Sequence, residues 1–164
     1  MVPEPQSKHR TLLYPRTQTV DWGRAVNEVL TTTPGRSRNM AAIKRKDTKP
    51  EVRLRSALHR AGLRFRKDYP IRIQGRIVRP DVVFTRRRLA VFIDGCFWHC
   101  CPLHGRTPTA NTLYWSPKLR SNVERDLRQT RDLEDAGWRV VRFWEHEQTV
   151  NCVAKVLGIV RTES

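Results

Sequence analysis

Residues 89 to 93 read LAVFI, five apolar residues in a row between an arginine triplet and Asp94. A strand that faced water on one side would alternate. A run with no polar member fits a central strand covered on both faces, which calls for a sheet with helices on either side. The rest of the chain can be arranged around that strand. Thr48, Pro50 and Glu51 mark a helix start, with Thr48 as N-cap and Glu51 closing a capping box. Leu54, Ala57, Leu58 and Ala61 form its apolar stripe, and Gly62 suits its end, so a helix is predicted over 49–61. IRIQGRIVRPDVVF predicts a hairpin-like unit about Gln74-Gly75-Arg76 that Val82 to Phe84 ends, with a polar turn over Thr85 to Arg88. Ser116-Pro117 is read as the cap of a second helix over 117–136, with Leu119, Val123, Leu127, Thr130 and Leu133 on its buried face. WRVVRFW (138–144) predicts a strand, with Trp138 and Trp144 as core, and a short helix follows over 148–157. The predicted order is α-β-β-β-α-β-α, an α/β fold with a mixed sheet flanked by helices.

Charge narrows the class of partner. The 164-residue chain carries 32 Lys and Arg against 16 acids, a net charge of +16. Residues 36–88 hold 18 basic and 4 acidic side chains. A basic excess this concentrated points to a polyanion, with nucleic acid first. A solvated basic face is the plainer alternative. Residues 1–35 are rich in proline and weakly periodic, apart from a candidate helix at 19–30, and read as a flexible or loosely docked arm. The domain proper then spans 36–164. No apolar run is long enough to cross a membrane, and the N-terminus has no apolar leader segment, so a cytoplasmic protein is expected.

The densest chemistry lies in DGCFWHCCPLH, residues 94–104. Cys96, Cys101, His104 and, after the strand at 138–144, His146 make a Cys2His2 set of the kind that closes a structural zinc site. Cys100 rivals Cys101 and Cys152 rivals His146. In a chain expected in a reducing compartment, clustered thiols read as metal ligands before disulfides. Asp81 follows Arg79-Pro80, and Asp94 ends the next strand. Two acids on neighbouring strands can share a rim and offer hard oxygen ligands to Mg2+. Turn residues at strand ends are the alternative. Asp126 lies at the edge of the buried stripe of the second helix and needs a partner. His99 can supply one, since a carboxylate on one ring nitrogen orients the other as a base; an ion pair with a neighbouring arginine would satisfy Asp126 equally. Phe97, Trp98 and Trp115 are bulky aromatics on or beside a polar loop. Beside a basic surface they can serve as wedges between bases, with Met40 a further one, or they can plug the loop.

Taken together, RSRNMAAI, KRKDTKPE, RPDVVF, DGCFWH, Tyr114-Trp115, NVERD and GWRVVRFWE resemble, in that order, the very-short-patch-repair (Vsr) DNA mismatch endonucleases, over residues 36–150. The resemblance implies a restriction-endonuclease-like fold, a variant of the PD-(D/E)xK nucleases, with a structural zinc loop and Mg2+-dependent nicking. It implies double-stranded DNA with a T:G mismatch as substrate, cut 5′ to the thymine to start short-patch repair. By that resemblance Asp81 and the main-chain carbonyl of Ile93 bind the catalytic Mg2+, with Asp94 beside them. His99 activates water, Asp126 orients His99, and Glu51 lies at the edge of the site. Met40, Phe97, Trp98 and Trp115 correspond to the intercalating residues. This chain departs from the pattern in having Asp94 where a histidine is known, His146 where cysteine is usual, and Cys101 and His104 in place of a His-Cys pair. A monomer, with a repair protein as a further partner, completes the expectation. Two rivals stand beside it: a zinc-stabilised DNA-binding module without catalysis, and a nickase for a different lesion or site.

Overall fold

The computed structural model describes residues 46–106, 108–109 and 111–162. The arm at 1–35, its candidate helix, and Met40 lie outside the described residues. Helix α1 spans Lys49–Arg60. Strands β1 (Ile71–Ile73) and β2 (Arg76–Val78) form a separate antiparallel hairpin. Strand β3 (Val82–Phe84) leads through a 3-10 turn, Thr85–Arg87, into β4 (Leu89–Asp94). Helix α2 (Thr112–Asp135), strand β5 (Arg139–Trp144) and helix α3 (Thr149–Arg161) complete the chain. Four strands therefore precede α2 where three were expected, because the second arm of the hairpin breaks over 79–81 into β2, which pairs with β1, and β3, which pairs with β4.

The main sheet has the order β3-β4-β5, with β4 antiparallel to β3 and parallel to β5. It is a mixed sheet, and LAVFI is its middle strand. Period-two alternation sends successive residues to opposite faces. Leu89 and Val91 pack with Val141, Phe143 and the α1 and α3 residues Leu54, Leu58, Cys152 and Val156. Ala90 and Phe92 pack with Val140, the hairpin and Leu133 of α2. Two cores, one per face, are what an unbroken apolar strand requires.

Four expectations are corrected. Helix α2 starts at Thr112, not at 117, so Ser116-Pro117 is no cap and Pro117 lies inside the helix. Asn111, in the left-handed region (φ 55°), turns the chain, and its carbonyl accepts from Tyr114 and Trp115. Pro117, sixth in the helix, has no N–H to give to the Leu113 carbonyl, so the helix carries it at the loss of one hydrogen bond in its second turn. The buried face of α2 is Trp115, Leu119, Asn122, Asp126 and Leu133, and Leu127 is exposed. The helix is rolled so that two polar side chains, Asn122 and Asp126, face the ligand loop. The capping box is not made: Thr48 Oγ1 donates to Glu51 Oε1 at 2.8 Å instead of capping a backbone N–H, and Glu51 Oε2 accepts from the N–H of Asp47, one residue before the N-cap, at 2.9 Å. Trp138 and Trp144 are half-buried rather than fully core.

Candidate active site and metal centre

Strands β4 and β5 run parallel and in register, with Asp94 opposite Trp144. Both end at the same edge of the sheet, and their outgoing loops carry Cys96 and His146. The two loops are tied where they leave. The Glu145 N–H donates to the Asp94 carbonyl at 2.9 Å, and the Cys96 N–H donates to Glu145 Oε1 at 2.6 Å. The loop then coils on itself. Cys100 takes the left-handed conformation at φ 55°, and the Cys101 N–H reaches back to the Cys96 carbonyl at 2.9 Å. Gly105 closes the turn against Cys101; a Cβ there would lie 2.4 Å from the Cys101 carbonyl oxygen, so no other residue fits without rearrangement.

That folding brings Cys96, Cys101, His104 and His146 together, one ligand atom from each within 4.8 Å of the others. Cys96 Sγ is 3.0 Å from His146 Nδ1, and Cys101 Sγ is 3.9 Å from His104 Nδ1 and 3.8 Å from His146 Nδ1. Both open choices are thereby resolved in the geometry: Cys101 joins the group and Cys100 does not, while Cys152 belongs to the core between β4 and α3. Burial, with the Cys101 thiol beside it, pushes the Cys96 thiol up to about 12. A thiol so disfavoured as an anion becomes a ligand only with a cation beside it, and the set of two sulfurs and two imidazoles could hold one.

On the α2 side of the sheet, His99 Nδ1 meets Asp126 Oδ2 in a close hydrogen bond. The loop is pinned there by Asn122, whose Nδ2 donates to the Trp98 carbonyl at 3.1 Å. Asp126 is buried, which alone would raise its carboxyl. The His99 hydrogen bond and the charges of His99, Arg142 and Arg125 outweigh burial and hold it below the ordinary range. Asp126 thus has both partners that were set against each other: the imidazole, and the Arg125 guanidinium at 3.4 Å.

Asp81, just before β3, accepts the Ile93 N–H at 2.8 Å. Burial, then the charges of Glu51 and Asp94, push its carboxyl up to about 7 despite that bond and Arg55. Glu51 is buried at the start of α1, where Arg55 Nη1 is 3.3 Å away. A buried carboxyl whose proton affinity is raised by burial and by two acidic neighbours makes a site that a divalent cation would relieve. Asp94 differs from the other two. Arg142 Nε and Nη2 each lie 2.7 Å from its oxygens, a buried bidentate pair. Asp94 sits beside Asp81 as expected, but both oxygens are engaged. Arg142 was read only as part of a strand; the available signal was an arginine at a position where alternation along WRVVRFW points inward.

Phe97, Trp98 and Trp115 form one ring cluster, with centroids 5.1 Å (Phe97–Trp98), 5.4 Å (Phe97–Trp115) and 6.0 Å (Trp98–Trp115) apart. Tyr114 joins it, edge-on to Trp115 at 5.1 Å and half exposed. Phe97 and Trp98 are half-buried, and Trp115 is buried. Among the described residues no helix is long and apolar enough to cross a membrane.

Comparison with known proteins accords with this arrangement. The sequence model of the family described as "DNA mismatch endonuclease Vsr" matches residues 28–103. The chain is 60% identical over 124 residues to the type II nicking enzyme V.NaeI of Lentzea aerocolonigenes, covering 75% of each chain. It is 43% identical over 112 residues to the DNA mismatch endonuclease Vsr of Escherichia coli K12, covering 67% of this chain and 69% of that one. It is 42% identical over 113 residues to the type II nicking enzyme V.XorIIP of Xanthomonas oryzae pv. oryzae, covering 66% of this chain and 77% of that one. With relatives this similar over more than two thirds of their own length, the chain belongs to the Vsr family of DNA mismatch endonucleases and is a DNA-nicking hydrolase.

Proposed function

We propose that this chain, on a restriction-endonuclease-like fold, nicks one strand of double-stranded DNA at a T:G mismatch, with Mg2+ required for cutting and Zn2+ for shape. The observation that carries the reading is the juxtaposition of the His99–Asp126 pair with the acidic rim of Asp81 and Glu51 at one sheet edge. Asp126 holds the proton on His99 Nδ1, which leaves Nε2 free to take a proton from the attacking water. Asp81 and the Ile93 carbonyl are the protein ligands we assign to the cation, and Glu51 orders its surroundings. A bound Mg2+ supplies charge stabilisation at the phosphate. The donor chemistry fits: hard oxygens, and a carboxyl whose proton affinity is raised by its acidic neighbours.

Zinc suits the loop. Tetrahedral zinc separates sulfur and nitrogen ligands by about 3.3–3.8 Å; Cys96–His146, Cys101–His146 and Cys101–His104 stand 3.0, 3.8 and 3.9 Å apart, and all four ligand atoms lie within 4.8 Å of one another. The metal would brace the turn that presents Phe97, Trp98 and His99. The ring cluster supplies the wedge, with Met40 the proposed partner from the other side. Unstacking costs least where pairing is already poor, so a wedge favours mismatches without reading every base edge. The basic half holds the phosphates.

A panel of end-labelled duplexes, one per mismatch and one fully paired, incubated with Mg2+ tests the reading. Preferential nicking of the T:G strand is expected. Equal cutting of the paired duplex would favour the second reading, a nickase for another site, which the relatives named simply as nicking enzymes keep in view.

A further inference from the structure

We propose that Arg142 is a positioning residue for nicking: clamped on Asp94, it leaves Asp126 as the sole partner of His99. The inference rests on the reading of His99 as the base. The physical problem is one of competition. His99 Nδ1 carries a single proton and has two carboxylates in reach, Asp126 Oδ2 in close hydrogen bond and Asp94 Oδ1 at 3.7 Å. Both acids are almost wholly buried, at 3% and 2% exposure. Two uncompensated carboxylates around one imidazole would pull the ring between two poses and repel each other. The guanidinium removes that ambiguity. It takes both Asp94 oxygens at 2.7 Å, stands 3.5 Å from Asp126 Oδ1 with its Nη2, and 3.5 Å from Thr130 Oγ1 with its Nη1.

One side chain on β5 therefore links β4 to α2. Its own orientation is set from below by the Phe92 ring, 4.4 Å from Cζ, a stacking that a planar guanidinium makes well. The register of the sheet supplies the geometry: Phe92 lies opposite Arg142, and Asp94 is two residues further on the same face. Lysine could keep the charge but neither the fork nor the stack. Asp94 accordingly belongs, in this account, to the frame around His99 and not to the cation's ligands.

The test is single-turnover nicking of a T:G duplex by Arg142→Met, Arg142→Lys, Asp94→Asn with Arg142→Met, and His99→Ala. Each is assayed well below its unfolding midpoint, with circular dichroism as the folding control and DNA affinity measured in parallel without Mg2+. Arg142→Met is expected to nick about 10–100-fold slower, the range for loss of such a supporting partner, with DNA affinity within about twofold of the parent. Arg142→Lys should recover little. Replacing Asp94 by Asn in the Met background should recover much of the rate, because the competing carboxylate is gone. A purely structural role gives the opposite: a second buried change adding to the first. The low-field proton resonance of His99 Nδ1–H, assigned by its loss in His99→Ala, should shift in Arg142→Met and return in the double variant. Should Arg142→Met fail to fold, Arg142→Lys carries the test, with about a tenfold loss expected. Parent-like nicking by a folded Arg142→Met or Arg142→Lys, while His99→Ala is inactive, would overturn this inference alone. Parent-like nicking by His99→Ala would overturn the assignment of the base itself.

Discussion

Asp81 should cost the folded protein stability in exchange for a cation site, and the cost can be measured. Its carboxyl is pushed from 3.8 to about 7 in the folded chain by burial and by Glu51 and Asp94. A carboxyl whose folded value exceeds its unfolded one destabilises the fold when ionised. Asp81 costs almost nothing near pH 3 and below, where it is largely protonated in both states. The penalty grows between pH 4 and 7 and is complete above that. About three pH units at about 1.4 kcal/mol each set a ceiling of about 4 kcal/mol. Asp81→Asn is nearly isosteric, can still accept the Ile93 N–H through its amide oxygen, and carries no charge to repel. In zinc-replete, magnesium-free buffer the advantage of the variant should shrink towards nothing as the pH falls to about 3 and be full at pH 8. At about 2–4 °C per kcal/mol for a chain of this size, the midpoint of thermal unfolding should rise by about 5 °C or more at pH 8. Adding Mg2+ at a hundredfold over its dissociation constant would stabilise the parent by about 2.7 kcal/mol and leave the variant unmoved. Nicking should be lost. A variant no more stable than the parent at pH 8, or one equally stabilised by Mg2+, would refute the placement of the cation on Asp81.

Other outcomes follow from the geometry. Purified protein should carry one zinc per chain by elemental analysis; Cys96→Ala or Cys101→Ala should lose it and unfold at lower temperature, while Cys100→Ala and Cys152→Ala retain it. Asp126→Asn should nick about 10²–10⁴-fold slower at unchanged DNA affinity, since a misplaced imidazole forfeits base catalysis; unchanged rates would remove the pair from the mechanism. Trp98→Ala should narrow the difference in nicking rate between T:G and paired duplexes more than it weakens binding to paired DNA, as gel-shift and rate measurements on the same duplexes would show. Binding to DNA should fall steeply with salt, and a flat response of log K to log salt between 50 and 200 mM would count against the basic half as the phosphate contact.

What could be read from residue order alone was whatever a local rule controls. LAVFI announced a strand with two covered faces because burial leaves no room for alternation. The zinc-type ligands were visible as residue types, but choosing Cys101 over Cys100 needed the left-handed turn at Cys100, which decides which sulfur points inward. The start of α2 was misjudged because Ser116-Pro117 imitates a cap; Asn111, five residues before Ser116, does the turning. The buried face of α2 was misjudged for a different reason. Asn122 and Asp126 displaced Leu127 from the interior, a case where the loop's need for polar partners outweighed the apolar pattern. Arg142 went unnoticed because its meaning lies in pairing with Asp94, 48 positions away.

The parallel ladder between β4 and β5 has a consequence for how this protein can change over time. Cys96 and His146 each stand two residues past the paired positions Asp94 and Trp144, so the proposed metal ligands and the proposed base are metered from one common ruler. Deleting a single residue from either strand would turn every later side chain to the other face, unseating the metal and the base in one stroke. Substitutions along these strands can be absorbed, whereas changes of length cannot, and variation in the lineage should therefore gather in the connections and spare the count.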